Sequence, residues 1–263
     1  MPAANFGAVN APRNSPEEWF RSLPGVSKCL ITSVIAYVLL ILTGVIGPED
    51  MALVWEPIRY KLELWRFFTS AIFIGLPGFP FLMNFLMLSR QCIDYEKGGY
   101  DTGGGGGSAD FAWMIVFGLT VFSVLSLTFL NAYFFGFSLV YMIIYVKSRK
   151  HPNQLTGFWG ITVQSAYFPW LMLAFQLLVG ASLFHPLIGI GIGHLYYFLV
   201  DVIPDQFGKE IITTPNFLID FFGYNNTTGV HRFPAPGASA PPRDYQRPGS
   251  GHSWGSGRPL GAQ

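Results

Sequence analysis

Charged residues are scarce in this chain. Only 12% of its 263 residues are Asp, Glu, Lys or Arg, whereas 51% are hydrophobic and 17% are aromatic. A soluble domain carries roughly 25% charged residues, so this composition indicates a polytopic membrane protein. The formal net charge is only +1 and there is no basic stripe, which argues against a nucleic-acid partner.

Cysteine is nearly absent as well. The only two, Cys29 and Cys92, have no spacing typical of a metal or redox site. Reduced thiols without a function are therefore expected, and no cofactor or metal. The N-terminal residues also lack the apolar stretch of a signal peptide. We expect insertion to depend on the first spanning helix, with the N-terminus left in the cytosol.

Apolar runs predict an all-α fold with six spanning helices. They cover about Cys29–Ile46, Phe79–Ile93, Phe111–Phe129, Ala132–Val146, Phe158–Leu183 and Leu187–Ile203. The second and fourth are near fifteen residues and would rise about 22 Å, less than the roughly 30 Å of a hydrocarbon core. Such a mismatch can be met by thinning the bilayer. Aromatic and charged residues mix between about 48 and 78, as in interfacial helices.

Three regions follow from these runs. Residues 1–28 are an amphipathic cytosolic segment, residues 29–204 the six-helix membrane domain, and residues 205–263 a mostly disordered cytosolic tail. Cationic side chains favour one side of the membrane, which places both termini in the cytosol by the positive-inside rule. That side holds Arg90, Lys97, Lys147, Arg149 and Lys150, and the other only Arg59, Lys61 and Arg66.

Glycines and amides mark the membrane domain. The stretch Phe184–Pro204 is the one around which we expect the chain to be organised, because Gly189 and Gly193 share a helix face and would let a neighbouring helix approach closely. Chance occurrence of such a glycine pair is the alternative. Asn84 and Gln176 lie at mid-span, and they either bond between helices or line a wetted groove.

One tryptophan–arginine pair stands in the interfacial connection. Trp65 and Arg66 would lie beside the groove if this connection dips into the membrane. The common alternatives are an aromatic-belt anchor for Trp65 and a charge that reaches the headgroups for Arg66.

Several motifs together resemble the Derlins, which are rhomboid-like proteins of the endoplasmic reticulum membrane without protease activity. They are EEWFRSLP at 17–24, LWR at 64–66, SAYFPW at 165–170, GIGIGHLYYFL at 189–199 and TTPNFL at 213–218. The resemblance implies a rhomboid-like bundle in that membrane. It also implies retrotranslocation of misfolded proteins for proteasomal degradation, together with a ubiquitin ligase complex.

The C-terminus resembles the motif by which some Derlins recruit the AAA ATPase valosin-containing protein. Trp254, Gly255, Gly257 and Leu260 would form an extended peptide that docks through its two apolar side chains. Pro259 departs from that motif and would restrict strand pairing. A low-complexity tail is the alternative.

A rhomboid protease needs a GxSG serine on its fourth span and a histidine on its sixth. Here Leu139 follows Ser138 in place of the second glycine, and His194 follows the glycine pair. In rhomboid proteases the histidine precedes the glycines, so the resemblance implies a protein that is not an enzyme. An active protease using Ser138 and a non-translocating scaffold for ligase and ATPase remain the rival hypotheses. The sequence leaves the oligomeric state open.

Overall fold

The computed structural model describes residues 16–98, 106–158, 161–208 and 211–222, and within them helices dominate. The six longest helices are α2 (Gly25–Leu42), α6 (Phe79–Lys97), α7 (Gly107–Leu125), α8 (Gly136–Lys150), α9 (Phe168–Leu178) and α10 (Phe184–Tyr197). The shorter ones are α1 (Pro16–Arg21), α3 (Pro48–Met51), α4 (Trp55–Lys61), α5 (Arg66–Ile72), α11 (Ile203–Phe207) and α12 (Asn216–Phe222).

Within the part of the chain that the structure describes, three helical stretches are long and apolar enough to cross a membrane: Gly25–Leu42, Gly107–Leu130 and Phe184–Phe207. The second joins α7 to a π-helical turn, Ser126–Leu130, and the third joins α10 to α11 through another, Phe198–Val202. The π-helical turn Phe198–Val202 is wider than an α-helical turn and comes just before Pro204. Proline has no N–H and would clash with the preceding turn of a regular α-helix. With three such helices the chain is a multi-pass membrane protein, and the other three spans stay a prediction.

Hydrogen bonds and ion pairs group the helix ends into two layers. At one layer, here called the basic end, the start of α2 meets the end of α6 through Glu96, and the end of α8 meets α6 and the turn after α10 through Lys147 and Lys150. At the other, the connection end, the segment between α2 and α6 meets the start of α8. The six long helices therefore run alternately up and down.

The central helix of the bundle is α8. Every residue from Ser138 to Ser148 is buried, as expected for a helix that is apolar on all sides. Its neighbours reach it through glycines: a Cβ added at Gly118 would lie 2.5 Å from the Met142 sulfur, and one at Gly136 2.3 Å from the Phe73 carbonyl oxygen. The expectation that the stretch Phe184–Pro204 forms the centre was therefore wrong, since α10 packs on one side of α8.

The fifth predicted span was wrong in extent. Two antiparallel strands, β1 (Leu155–Phe158) and β2 (Ile161–Gln164), form a hairpin in which Leu155 pairs with Gln164. Helix begins only with the 3₁₀ turn Ser165–Tyr167 and continues as α9. The β-branched residues Thr156, Ile161, Thr162 and Val163 favour strands, so the fold is mainly α and not entirely so.

Two more boundaries differ from the prediction. The helix at the second predicted span, α6, extends past Ile93 to Lys97 and has 19 residues. Its last turns are polar and are stabilised by contacts with other helices rather than by lipid. The sixth span, predicted to start at Leu187, begins three residues earlier, because Phe184, His185 and Pro186 form the first turn of α10. A proline in the first helical turn costs no hydrogen bond, because the N–H groups there have no partner within the helix.

Candidate functional site: the connection, the amides and the α8–α10 interface

Arg66 holds the connection together. Its side chain is buried, and its Nε donates to a Glu63 carboxylate oxygen at 2.6 Å. Its Nη1 donates to the carbonyl oxygens of Glu49 at 2.8 Å and Ala52 at 2.9 Å. Glu49 lies in α3 and Ala52 follows it, so one guanidinium ties α3 to α5. This planar donor set explains an arginine here better than a charge reaching for headgroups.

Trp65, by contrast, is exposed. Together with Leu64 and Phe68 it forms an apolar surface at the start of α5, here called the α5 ridge. The helix beneath it is fixed on α8, because Phe135 N–H donates to the Ser70 carbonyl at 2.8 Å. The α5 ridge is thus a rigid apolar surface able to contact lipid or an apolar polypeptide segment.

Both amides that were predicted at mid-span lie beside a neighbouring element. Asn84 Nδ2 donates to the carbonyl of Ile74 at 3.2 Å, which links α6 to the connection. Gln176, in the last turns of α9, lies near the hydroxyl of Tyr141 on α8, and that hydroxyl donates to the carbonyl of Met172 at 3.4 Å. Each amide is half-buried, so part of its surface stays accessible.

The glycine pair of α10 faces α8 directly. A Cβ added at Gly189 would lie 2.1 Å from the Ser138 carbonyl oxygen, and one at Gly193 3.1 Å from that of Met142. Gly191, between them, has no described residue within 4 Å of such an atom. Close backbone approach is the packing mode that small residues permit between membrane helices.

Ser138 and His194 do not form a pair. Ser138 Oγ is buried and has no hydrogen-bond partner among the described residues, whereas His194 Nδ1 lies 2.8 Å from Tyr145 Oη. Tyr145 is seven positions after Ser138 on α8, about 10 Å along the helix. Arg149 Nε donates to the same hydroxyl at 3.0 Å, so one tyrosine oxygen contacts both the guanidinium and the imidazole. The arrangement joins α8 to α10 and lacks the serine–base contact of nucleophilic catalysis.

The basic end contains a buried polar cluster that the sequence did not reveal. The Glu96 carboxylate accepts hydrogen bonds from the N–H of Val26 at 3.0 Å, from the N–H and hydroxyl of Ser27, each at 2.7 Å, and from the Ser108 hydroxyl at 2.6 Å. It thereby caps the first turn of α2 and holds the start of α7, where a helix dipole favours negative charge.

Two ion pairs complete that cluster. Lys147 Nζ lies 3.0 Å from an Asp94 oxygen, and Lys150 Nζ 2.9 Å from an Asp201 oxygen. His151 lies just beyond α8, and its pKa is lowered mainly by partial burial and to a smaller extent by the positive charges of Lys150 and Lys147. The only signal in the sequence was three cations at the end of an apolar run, which also mark an ordinary cytosolic loop.

Comparison with known proteins decides the family. The family model described as the Der1-like family matches residues 23–216. This chain belongs to the Derlin family. It is 34% identical over 204 residues to Derlin-1 of Oryza sativa subsp. japonica, covering 77% of this chain and 83% of that protein. Derlin-1 of Mus musculus is 30% identical over 252 residues, covering 94% of this chain and 98% of that Derlin. The resemblance read from the motifs is confirmed.

The remaining predicted residues of this Derlin lie outside the part that the structure describes. They are Trp254, Gly255, Gly257, Pro259 and Leu260. Their ATPase-binding role stays a prediction based on the motif.

Proposed function

We propose that this Derlin moves misfolded proteins out of the endoplasmic reticulum for proteasomal degradation. A valosin-containing-protein-type ATPase, bound at Trp254, Gly255, Gly257 and Leu260, supplies the work. A ubiquitin ligase complex marks the substrate, and both termini lie in the cytosol. The protein itself performs no covalent chemistry.

The observation that carries the proposal is the shortness of α9, the helix at the fifth predicted span. The 3₁₀ turn and the eleven residues of α9 rise about 22 Å, roughly 8 Å less than a hydrocarbon core. Trp170, Phe175 and Leu178 are exposed on this helix, so lipid must adjust to it. Helix α8, at the fourth predicted span, is short too, but other helices bury it, so it does not determine the thickness of the lipid.

A polar amide, that of Gln176, lies on this short helix. Since α9 starts beside the hairpin at the basic end, its last turns and Gln176 lie toward the connection end, the level of the α5 ridge. A polypeptide crossing a bilayer must expose backbone N–H and C=O groups, each at a cost of several kcal/mol where no water reaches them. A thinner layer with an amide beside it shortens the stretch over which that cost is incurred.

Substrate turnover tests the proposal with a matched pair of tryptophans. Trp65 and Trp55 lie on the same connection and are 57% and 52% exposed, but only Trp65 belongs to the α5 ridge. In cells lacking the native protein, Trp65→Ala should slow degradation of a misfolded substrate severalfold, whereas Trp55→Ala should not. Equal rates for both variants and the parent would contradict the proposal.

Two further variants separate the rival functions. Deletion after Arg247 should stop turnover because it removes the ATPase motif. If that deletion acts while Trp65→Ala does nothing, the protein is a scaffold. Ser138→Ala should not change the rate of substrate degradation. If the parent protein cleaves a membrane substrate and Ser138→Ala does not, the protein is a protease instead.

A further inference from the structure

The segment after the last spanning helix ends in a short helix with three distinct faces. In α12, Leu218 and Phe222 are half-buried, and Phe222 approaches the position of a Cβ at Gly25 to 3.9 Å. Asn216 and Asp220 form an exposed polar face, and Phe217 and Phe221 an exposed apolar one. Residues four apart share a helix face, so each pair is one surface. One apolar face packs on the protein, and the other is uncovered.

A buried hydrogen bond fixes the depth of this helix. The Thr214 hydroxyl donates to the carboxylate of Asp110, and both side chains are buried. Asp110 is the fourth residue of the helical stretch Gly107–Leu130, which rises about 36 Å and exceeds a 30 Å hydrocarbon core by a few ångströms at each end. The Thr214–Asp110 bond therefore places α12 at the boundary between headgroups and acyl chains.

The uncovered face continues a lipid-facing surface. Helix α2, against whose first turn Phe222 lies, exposes Ile35, Leu39 and Leu42 further along, and most of its surface is not covered by the rest of the protein. An apolar face at that depth, next to a spanning helix and opposite a polar face, matches an interfacial helix. Asp220 and the neutral Asn216 offer no positive charge to select anionic lipids.

We propose that α12 is a membrane-surface helix: Phe217 and Phe221 insert into the leaflet at the basic end, and the Thr214–Asp110 bond holds the helix at that depth. The partner is the headgroup and upper acyl region of the bilayer, without preference for anionic lipid. The inference does not depend on substrate transport.

Depth-dependent fluorescence quenching tests this placement. In a Cys29→Ser background, where the remaining Cys92 is buried, an environment-sensitive dye is attached to Phe221→Cys or Phe217→Cys, with Asp220→Cys as the matched control. The full chain is placed, one copy per disc, in phosphatidylcholine nanodiscs. Doxyl groups high on the acyl chains should quench the dyes at 217 and 221 severalfold more than at 220, and aqueous iodide should show the reverse order.

Each other result overturns the proposal. Equal iodide quenching at 220 and 221 would mean that the face is in water. Loss of doxyl quenching at one copy per disc, with its return at several, would mean that a second copy covers it. Anionic lipid that strengthens the signal markedly would contradict the absence of charge selection.

The positioning role of the threonine is tested separately. Thr214→Val keeps the shape and removes the hydroxyl, so doxyl quenching at 221 should fall. The melting temperature should fall as well, because the buried Asp110 carboxylate loses a donor. Unchanged quenching would overturn the role of the bond in setting the depth.

Discussion

At the scale of single residues, adjacent positions have different tasks. Trp65 is exposed and free to contact lipid or substrate, whereas its neighbour Arg66 is buried and holds two backbone carbonyls and a carboxylate. Truncating Arg66 would leave those acceptors buried without donors. Loss of function in such a variant would report a disordered connection, so Trp65 is the better probe of contact.

The glycines of α10 allow a sharp prediction at the same scale. Gly189→Ala puts a methyl carbon 2.1 Å from the Ser138 carbonyl oxygen. Because that oxygen belongs to the backbone of α8 and cannot rotate away as a side chain could, α8 and α10 must separate. We expect a loss of at least about 2 kcal/mol in stability. Gly191→Ala meets nothing within 4 Å and should change stability by less than about 1 kcal/mol, toward stabilisation. Thermal unfolding in detergent micelles measures both, and equal melting temperatures would contradict the packing.

At the scale of elements, α8 is held by different forces at its two ends. Close backbone contacts at Gly136 and Gly189 fix the connection end. Ion pairs to α6 and to the turn after α10 fix the basic end. A buried ion pair adds little net stability when intact, but removal of one partner leaves an uncompensated buried charge. The basic end is therefore the more sensitive to loss of a single charge.

The pair Lys150–Asp201 provides the test. Its side chains are only 11% and 7% exposed, so Asp201→Asn should destabilise the protein by about 3–5 kcal/mol. The exposed pair Arg21–Glu17, at 76% and 72%, is the matched control, and Glu17→Gln should cost less than about 1 kcal/mol. Thermal unfolding at constant ionic strength compares them. Adding Lys150→Met to Asp201→Asn should recover much of the loss, and failure to do so would show that the charge is not the cause.

At the scale of the whole molecule, helix length varies around the bundle. The stretches Gly107–Leu130 and Phe184–Phe207 each have 24 residues, about 36 Å of helix, against about 22 Å for α9 and its 3₁₀ turn. Helix α8 is also short, but it is buried. Any mismatch with lipid is therefore confined to the side of the molecule where α9 is exposed. The mismatch was expected at the second and fourth spans; the lengths of α6, α8 and α9 instead lead us to propose it at α9.

A nanodisc map of the isolated protein measures that asymmetry. We expect the two phosphate layers to approach one another by several ångströms beside Trp170 and Leu178, relative to the surface of α2. Even thickness around the whole perimeter would remove the physical support for a thinned passage, even if turnover depends on Trp65.

The sequence alone determined the class of protein and its family. Apolar runs, scarce charge and the motifs between Glu17 and Leu218 are properties of contiguous stretches, and hydrophobicity and local motifs act over such distances. Even the positions of Gly189 and Gly193 on one face required only the helical period.

Only the tertiary structure decided which helix is central, where the fifth helix begins and what the charges do. Glu96 lies about seventy positions from the amides it caps, and Asp110 about a hundred from Thr214. A carboxylate in a polar loop reads as solvated until folding brings buried N–H and hydroxyl groups to it, because burial without such partners would be too costly. Those partners come from distant parts of the chain, so no local pattern announces them.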